Sequence, residues 1–203
     1  MASVGASANL YNGTEYTASY PMTNGTPFWD IAEFRNGNIS YEGIVYKDIP
    51  MIYDLVANEV LIRGIRMQII KLDNNRIDFF EIGNHRFVRF TGDTTNKNLL
   101  PVDIYDLVLN DEVKVYVKRK KQVARNISEN GKYDFIEYHS YFVYKDGWFH
   151  PVANRKDLLK IFRDKSEPVK TFWKEKRIDF RKNFEQAIIK TVSYYSLLKN
   201  TGQ

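Results

Sequence analysis

Short apolar runs separated by turn signals dominate residues 1–150 of the chain. IVYKDI, EVLIRG, MQIIKL, RIDFFEI and HRFVRF are rich in β-branched and aromatic residues, which suit the pleated surface of a sheet. Their alternation is imperfect, because Phe79 and Phe80 are adjacent, as are Phe87 and Val88. Apolar side chains on both faces predict a sheet covered on both sides, or a strongly curved one. EVKVYVKRK alternates cleanly, with Val113, Val115 and Val117 on one face and Lys114, Tyr116 and Lys118 on the other. That pattern predicts a half-buried strand. Asn-Gly pairs at Asn12-Gly13, Asn24-Gly25, Asn36-Gly37 and Asn130-Gly131 predict type I′ turns between antiparallel strands. Further turn signals stand at Glu42-Gly43, Asn74-Asn75, Gly83-Asn84 and Asp146-Gly147.

After Pro151 the period changes from that of strands to that of helices. In NRKDLLKIF, Asn154 is placed as an N-cap with Asp157 three residues on. SEPVKTFWKEK offers Ser166 as a cap and Pro168 within the first turn. NFEQAIIKTVSYYSLLK combines Asn183 and Gln186 in capping-box spacing with a stripe of Phe184, Ile188, Val192, Tyr195 and Leu198. The expected fold is therefore α+β and mainly β. A strongly bent antiparallel meander over residues 10–152, with a barrel-like form and an internal repeat as open options, carries three short C-terminal helices. Residues 1–9 form a flexible start, and residues 153–203 a basic helical segment packed on the sheet within a single domain. Trp173 is expected to hold the middle helix against the sheet.

Composition narrows this picture. The chain has 203 residues, 15% of them aromatic, and no cysteine, which removes disulfides, thiolate zinc sites and cysteine nucleophiles. Its apolar runs fall far short of the roughly 20 residues that span a bilayer, so no transmembrane segment is expected. The formal charge of +5 is uneven. Residues 151–203 hold 13 Lys/Arg against 6 Asp/Glu, whereas residues 1–150 hold 17 against 19.

One motif recurs. IYDLVANEV, Ile52 to Val60, returns as IYDLVLNDEV, Ile104 to Val113, with one extra residue, and DFFEIGNHRFV resembles DFIEYHSYFV. Ancestral duplication and shared strand-and-turn chemistry both explain this, and the second is favoured. Aspartate is depleted in strands, so Asp54 and Asp106 need a reason. A paired-carboxylate site, each Asp beside a tyrosine (Tyr53, Tyr105), could divide acid and base roles in a hydrolase. The weightier reading gives each Asp to turn backbone near Asn58 or Asn110, or to an arginine such as Arg63.

Other candidate chemistry is sparse. His85, His139 and His150 lack metal-ligand spacing, although the first two correspond in the repeat. Lys118, Arg119, Lys120 and Lys121, with Arg125 beyond, form the densest basic patch. Beside Tyr116 it could contact nucleic-acid phosphates and stack a base, but a solvated strand end with edge-protecting lysines outweighs that. Sequons at Asn12, Asn24, Asn38 and Asn126 matter only on a eukaryotic secretory route. Phe28-Trp29, Phe172-Trp173 and Tyr194-Tyr195 are candidates for a sugar or lipid pocket, with core packing the commoner fate of such residues. No cofactor, Walker or serine-nucleophile motif is present.

LYNGTEY, YEGIVYKDIPMIYDL, NRKDLLKIF and AIIKTVSYYSLL together resemble a group of exported proteins of the Bacteroidota. These carry a signal peptide, a Tyr-rich strand meander and a Lys-rich helical end. The group has no assigned activity, so the resemblance carries over no site residue and implies only export. Ala6-Ser7-Ala8 has the small-x-small form of a signal-peptidase site without an apolar stretch before it. It reads either as the start of a mature exported protein or as a flexible start. The function expected is a non-enzymatic periplasmic, envelope or secreted module that binds an apolar or glycan ligand, or an envelope protein, in the concavity of the sheet, or that is purely structural. A cytoplasmic nucleic-acid-binding protein and a hydrolase using Asp54 and Asp106 are the alternatives.

Overall fold

The structure, a computed structural model, describes residues 10–17, 19–21, 23–64, 66–92, 100–129 and 131–200. Ala6-Ser7-Ala8, the rest of residues 1–9, and Asn130 of the last Asn-Gly pair lie outside the described residues. Twelve strands form one mixed, open sheet, followed by three C-terminal helices. The fold is thus α+β and mainly β, and the sheet does not close into a barrel. The chain divides into two compact units, Met1–Arg89 with Arg119–His139, and Phe90–Lys118 with Ser140–Gln203. The division crosses two long strands, β10 (Lys114–Arg125) and β11 (Tyr133–Lys145), rather than falling at the sheet-to-helix boundary.

The first unit contains β1 (Thr14–Glu15), β2 (Thr23–Asn24), β3 (Arg35–Tyr41), β4 (Ile44–Asp54), β5 (Glu59–Arg63), β6 (Ile69–Lys71), β7 (Ile77–Ile82) and β8 (His85–Phe90, through Arg89). Strand order is β1-β6-β5-β4-β3-β7-β8, with β2 parallel to β11. Between β6 and β7 lie three strands, about 19 Å of flat sheet from one to the other at the usual spacing. Their connection is Leu72–Arg76, and its Asn74–Arg76 stretch is a 3₁₀ turn. Such a link reaches only about 17 Å, so this part of the sheet is curled, as the two-faced apolar pattern predicts. Val60, Leu61 and Ile62 on β5 are all buried. Tyr53, Phe80 and Phe87 form an aromatic cluster, with ring centroids 4.8–5.3 Å apart.

The turn chemistry is redistributed. Glu42-Gly43 has positive φ at both positions (53° and 74°) and closes the two-residue β3–β4 hairpin. Asn36-Gly37, expected as a turn, lies inside β3. A Cβ on Gly37 would stand 1.9 Å from the Glu81 carbonyl oxygen, so glycine there permits β7 to approach at a bulge. Gly13 is similar, its missing Cβ falling 2.3 Å from the Lys71 carbonyl oxygen.

The second unit contains β9 (Asp103–Leu109), the first residues of β10, the last of β11, β12 (Trp148–Val152) and the helices α1 (Arg155–Ile161), α2 (Ser166–Glu175) and α3 (Phe184–Asn200). Asp146-Gly147, with φ of 52° and 84°, closes the β11–β12 hairpin. The helices cover one face of the strands. Val113, Val115, Val143 and Val152 pack with Leu158, Phe162, Val169, Ile188, Val192 and Tyr195 in one buried cluster. The opposite face of β10 is also covered, since Tyr116 meets Phe90 and Phe149 at 5.3 and 5.5 Å. The strand expected to be half-buried is therefore buried on both sides there.

Asn154 caps α1 in a full capping box with Asp157. Asn183 accepts from the Gln186 backbone N–H at 3.0 Å ahead of α3. Ser166 is not the cap of α2, whose N-cap is Lys165. The chain enters α2 straight from a 3₁₀ turn at Arg163–Lys165, so Ser166 already has helical geometry. Trp173 packs against the buried cluster that joins sheet and helices, and it also ties two helices together, its indole N–H donating to the Thr191 hydroxyl at 2.8 Å.

Candidate functional site

β4 ends at Asp54, whose carboxylate is fully buried. Its Oδ1 accepts the backbone N–H groups of Val56 and Ala57 at 2.8 and 2.9 Å, which shapes the turn after the strand. Its Oδ2 accepts the hydroxyls of Tyr16 and Tyr20 at 2.5 and 2.7 Å. Burial first, and then the bond to Asp54, holds both tyrosine hydroxyls in the neutral form, far above the ordinary tyrosine range. The same point of β4 receives the chain leading into β3. Phe28 bridges to Asp54, the Trp29 N–H donates to the Tyr53 carbonyl at 2.8 Å, and the Leu55 N–H donates to the Pro27 carbonyl at 3.0 Å. Asp54 and its neighbours thus anchor a strap through Tyr16, Tyr20 and Pro27–Trp29. Four donors converge on one fully buried carboxylate.

Tyr53 points to the opposite face, where its hydroxyl donates to Asn58 Oδ1 at 2.5 Å. Asn58, at φ 58°, completes the turn. Arg63 does not serve as the partner of Asp54; its guanidinium lies 4.8 Å from the centre of the Phe34 ring. Tyr105 and Asp106 belong to the second unit and lie mid-strand in β9. Asp106 is fully buried opposite Val117. Burial first, then Asp103, pushes the Tyr105 hydroxyl up to about 12.

The basic patch is divided by strand alternation. Arg119 and Lys121 are buried, while Lys120 and Arg125 are exposed. The Lys121 ammonium donates to the carbonyls of Thr26 and Phe28 at 3.1 and 2.6 Å and pairs with Glu137 at 3.0 Å. It fastens the strap that Asp54 anchors. Although burial works against it, Lys121 and then His139 hold the Glu137 carboxyl below its ordinary range. Arg119 lies 3.1 Å from His139 Nδ1, and Lys118 pairs with Asp103. His85 instead packs edge-on against Trp29 at 4.8 Å. Among the described residues, no group of three or more His, Asp or Glu is placed to hold a metal, and no helix is long and apolar enough to cross a membrane.

A groove of about 510 Å³ lies in the helical layer of the second unit, within the usual size range of small-molecule sites. Arg155, Lys156 and Leu159 come from α1, and Lys170, Trp173 and Lys174 from α2. Each set occupies i, i+3/i+4 spacing, so each lies on one helix face. Ile178 and Phe180, in the α2–α3 connection, complete the lining. Leu159, Trp173, Ile178 and Phe180 are half-buried, whereas the four cations are exposed. Lys170 pairs with Glu167 at 2.6 Å. Among the described residues, no carboxylate lies within ion-pair reach of Arg155, Lys156 or Lys174. A second hollow of about 710 Å³ shares Arg155, Ile178 and Phe180 and adds Arg177, Arg181 and the carboxylate of Asp179.

Sequence reasoning located the basic excess after Pro151 but not this groove. The available signal was the interleaving of Lys/Arg with Leu159 and Trp173 at helical spacing on two successive short helices. No protein-family model matches the chain, no curated protein is similar to it, and no solved structure matches it.

Proposed function

We propose that the chain is an exported, non-enzymatic binding module whose binding face is the groove between α1, α2 and the α2–α3 connection. The observation that carries this reading is the pairing of a half-buried apolar floor with unneutralised cations at its edge. Half-exposed Trp and Phe in a concave site favour a bound apolar or sugar-like body. The saturated hydrogen bonding of Asp54 favours binding over hydrolysis at the motif tyrosines and aspartates. Export rests on the resemblance to Bacteroidota exported proteins; recovery of the native protein from cytosol rather than from envelope or medium would reverse that part.

The binding face is tested by mapping amide chemical shifts while small acids, sugars and neutral amphiphiles are added singly. Coherent shifts in residues 155–159 and 170–180 are expected. Shifts confined to the strands, or none with any compound, would remove the groove as the binding face.

A further inference from the structure

Resting on that reading of the groove, we infer that its ligand is a small amphiphilic carboxylate, an apolar body carrying one anionic head. The argument is charge complementarity. Arg155 and Lys156 on one helix and Lys174 on the next line a hollow with no acid in its lining. Like charges gathered without acids repel one another, and the helix dipole disfavours cations in a first turn, where Arg155 and Lys156 stand. Three cations elsewhere are neutralised by an acid brought to them, Lys118 by Asp103, Lys121 by Glu137 and Lys199 by Glu112. A carboxylate head would offset the repulsion at the groove, and a guanidinium or ammonium holds it through charge-assisted hydrogen bonds.

The floor sets the other half of the ligand. Trp173 has its only hydrogen-bond donor engaged with Thr191, so its ring offers the groove apolar surface. Phe180 meets it edge-on at 4.9 Å, and the two rings with Leu159 present no polar side-chain group to the hollow. A fully hydrophilic anion would desolvate without return on such a floor. A neutral amphiphile would leave the cations unanswered. The groove volume fits one small molecule and is unlike the extended flat surface that a bilayer demands.

The test is calorimetric titration of the full, unaltered chain with decanoate, octyl glucoside and decyltrimethylammonium, each below its aggregation concentration. The same titrations are repeated on a Lys156→Gln/Lys174→Gln variant, whose changes are at exposed positions. Decanoate is expected to bind at one site per chain, about 10-fold or more tighter than either other probe. The double variant and high salt are each expected to weaken it several-fold. Equal binding of octyl glucoside and decanoate would overturn the ligand class while leaving the groove a binding face. Decanoate binding indifferent to the lysine variant would overturn the inference as well. Retention only on anionic vesicles would assign the cations to a membrane surface instead. Absence of binding by all three probes would remove both the inference and the groove reading.

Discussion

The two IYDLV segments share five consecutive residues and sit in different physical settings. In the first, β4 stops at Asp54, and the carboxylate both shapes the following turn and receives Tyr16 and Tyr20. In the second, β9 runs on through Leu109, so Asp106 is an interior strand residue. The turn is shaped later, where Asp111 accepts the Glu112 N–H at 2.8 Å. The first segment is held through polar contacts from the strap to Asp54, whereas the sheet carrying the second is covered by apolar helices. Identical local sequence therefore specifies a strand and its core residues, while the following residues and the covering layer decide where the strand ends.

The comparison breaks most sharply if the first segment is given the spacing of the second. Inserting one residue after Ala57 shifts the Tyr53–Val60 register and exchanges the faces of β5, which is buried on both sides. A loss of more than about 4 kcal/mol, or failure to fold, is expected in urea denaturation. Asp54→Ala strands two amides and two hydroxyls in a buried site and should cost about 3–4 kcal/mol. Asp54→Asn should speed hydrogen exchange at Val56 and Ala57, and Asp106→Asn should leave exchange at Glu112 unchanged. Equal effects at both turns would show that the two aspartates do the same work.

On the helical side the loss should be apolar. Ile188→Ala, at a position with no exposure, should cost about 3 kcal/mol through the cavity it leaves, with no change in exchange across residues 14–29. Within the strap, Tyr16→Phe should cost about 1 kcal/mol, and adding Tyr20→Phe should cost more than the sum, because the second loss leaves Oδ2 without either hydroxyl. The smallest effect is alkaline. Burial first, then the 3.0 Å bond to Asp164, pushes Tyr195 up to about 12 from 10.0. Below the unfolded value both states keep the proton and the contribution is complete. As pH rises from there through about 12, only the unfolded state releases it, so stability falls. Tyr195→Phe should flatten that fall in denaturation midpoints taken across this window.

The second half of the apparent repeat shows why the match was only partly legible. Asp78–Val88 folds as the β7–β8 hairpin around Gly83-Asn84, with Gly83 at φ 59°. Its counterpart Asp134–Val143 lacks that pair and runs as one uninterrupted strand, β11. The apolar residues alone could not distinguish these outcomes, but the Gly-Asn pair does. The reverse error occurred at Asn36-Gly37, where a turn signal sits in a strand because β7 needs the space a side chain would fill. At the groove, Trp173 was visible as a helical aromatic, but its partners come from a separate helix, with Leu159 14 residues before it, and from the connection after α2, with Phe180 seven residues beyond it.

Properties carried by neighbours in sequence were legible in the sequence itself: the strand class of the apolar runs, the change of period at Pro151, the cap at Asn154, and, as the favoured of several readings, the use of Asp54 by adjacent turn backbone. These depend on a few residues acting through period, turn geometry and local hydrogen bonds. Only the tertiary structure decided that Tyr16 and Tyr20 complete the Asp54 site, that Lys121 is buried against the Thr26 and Phe28 carbonyls, and that four cations line a groove with an apolar floor. Those arrangements depend on which distant segments share a surface, and the energy of packing them is not written in any local stretch of the chain.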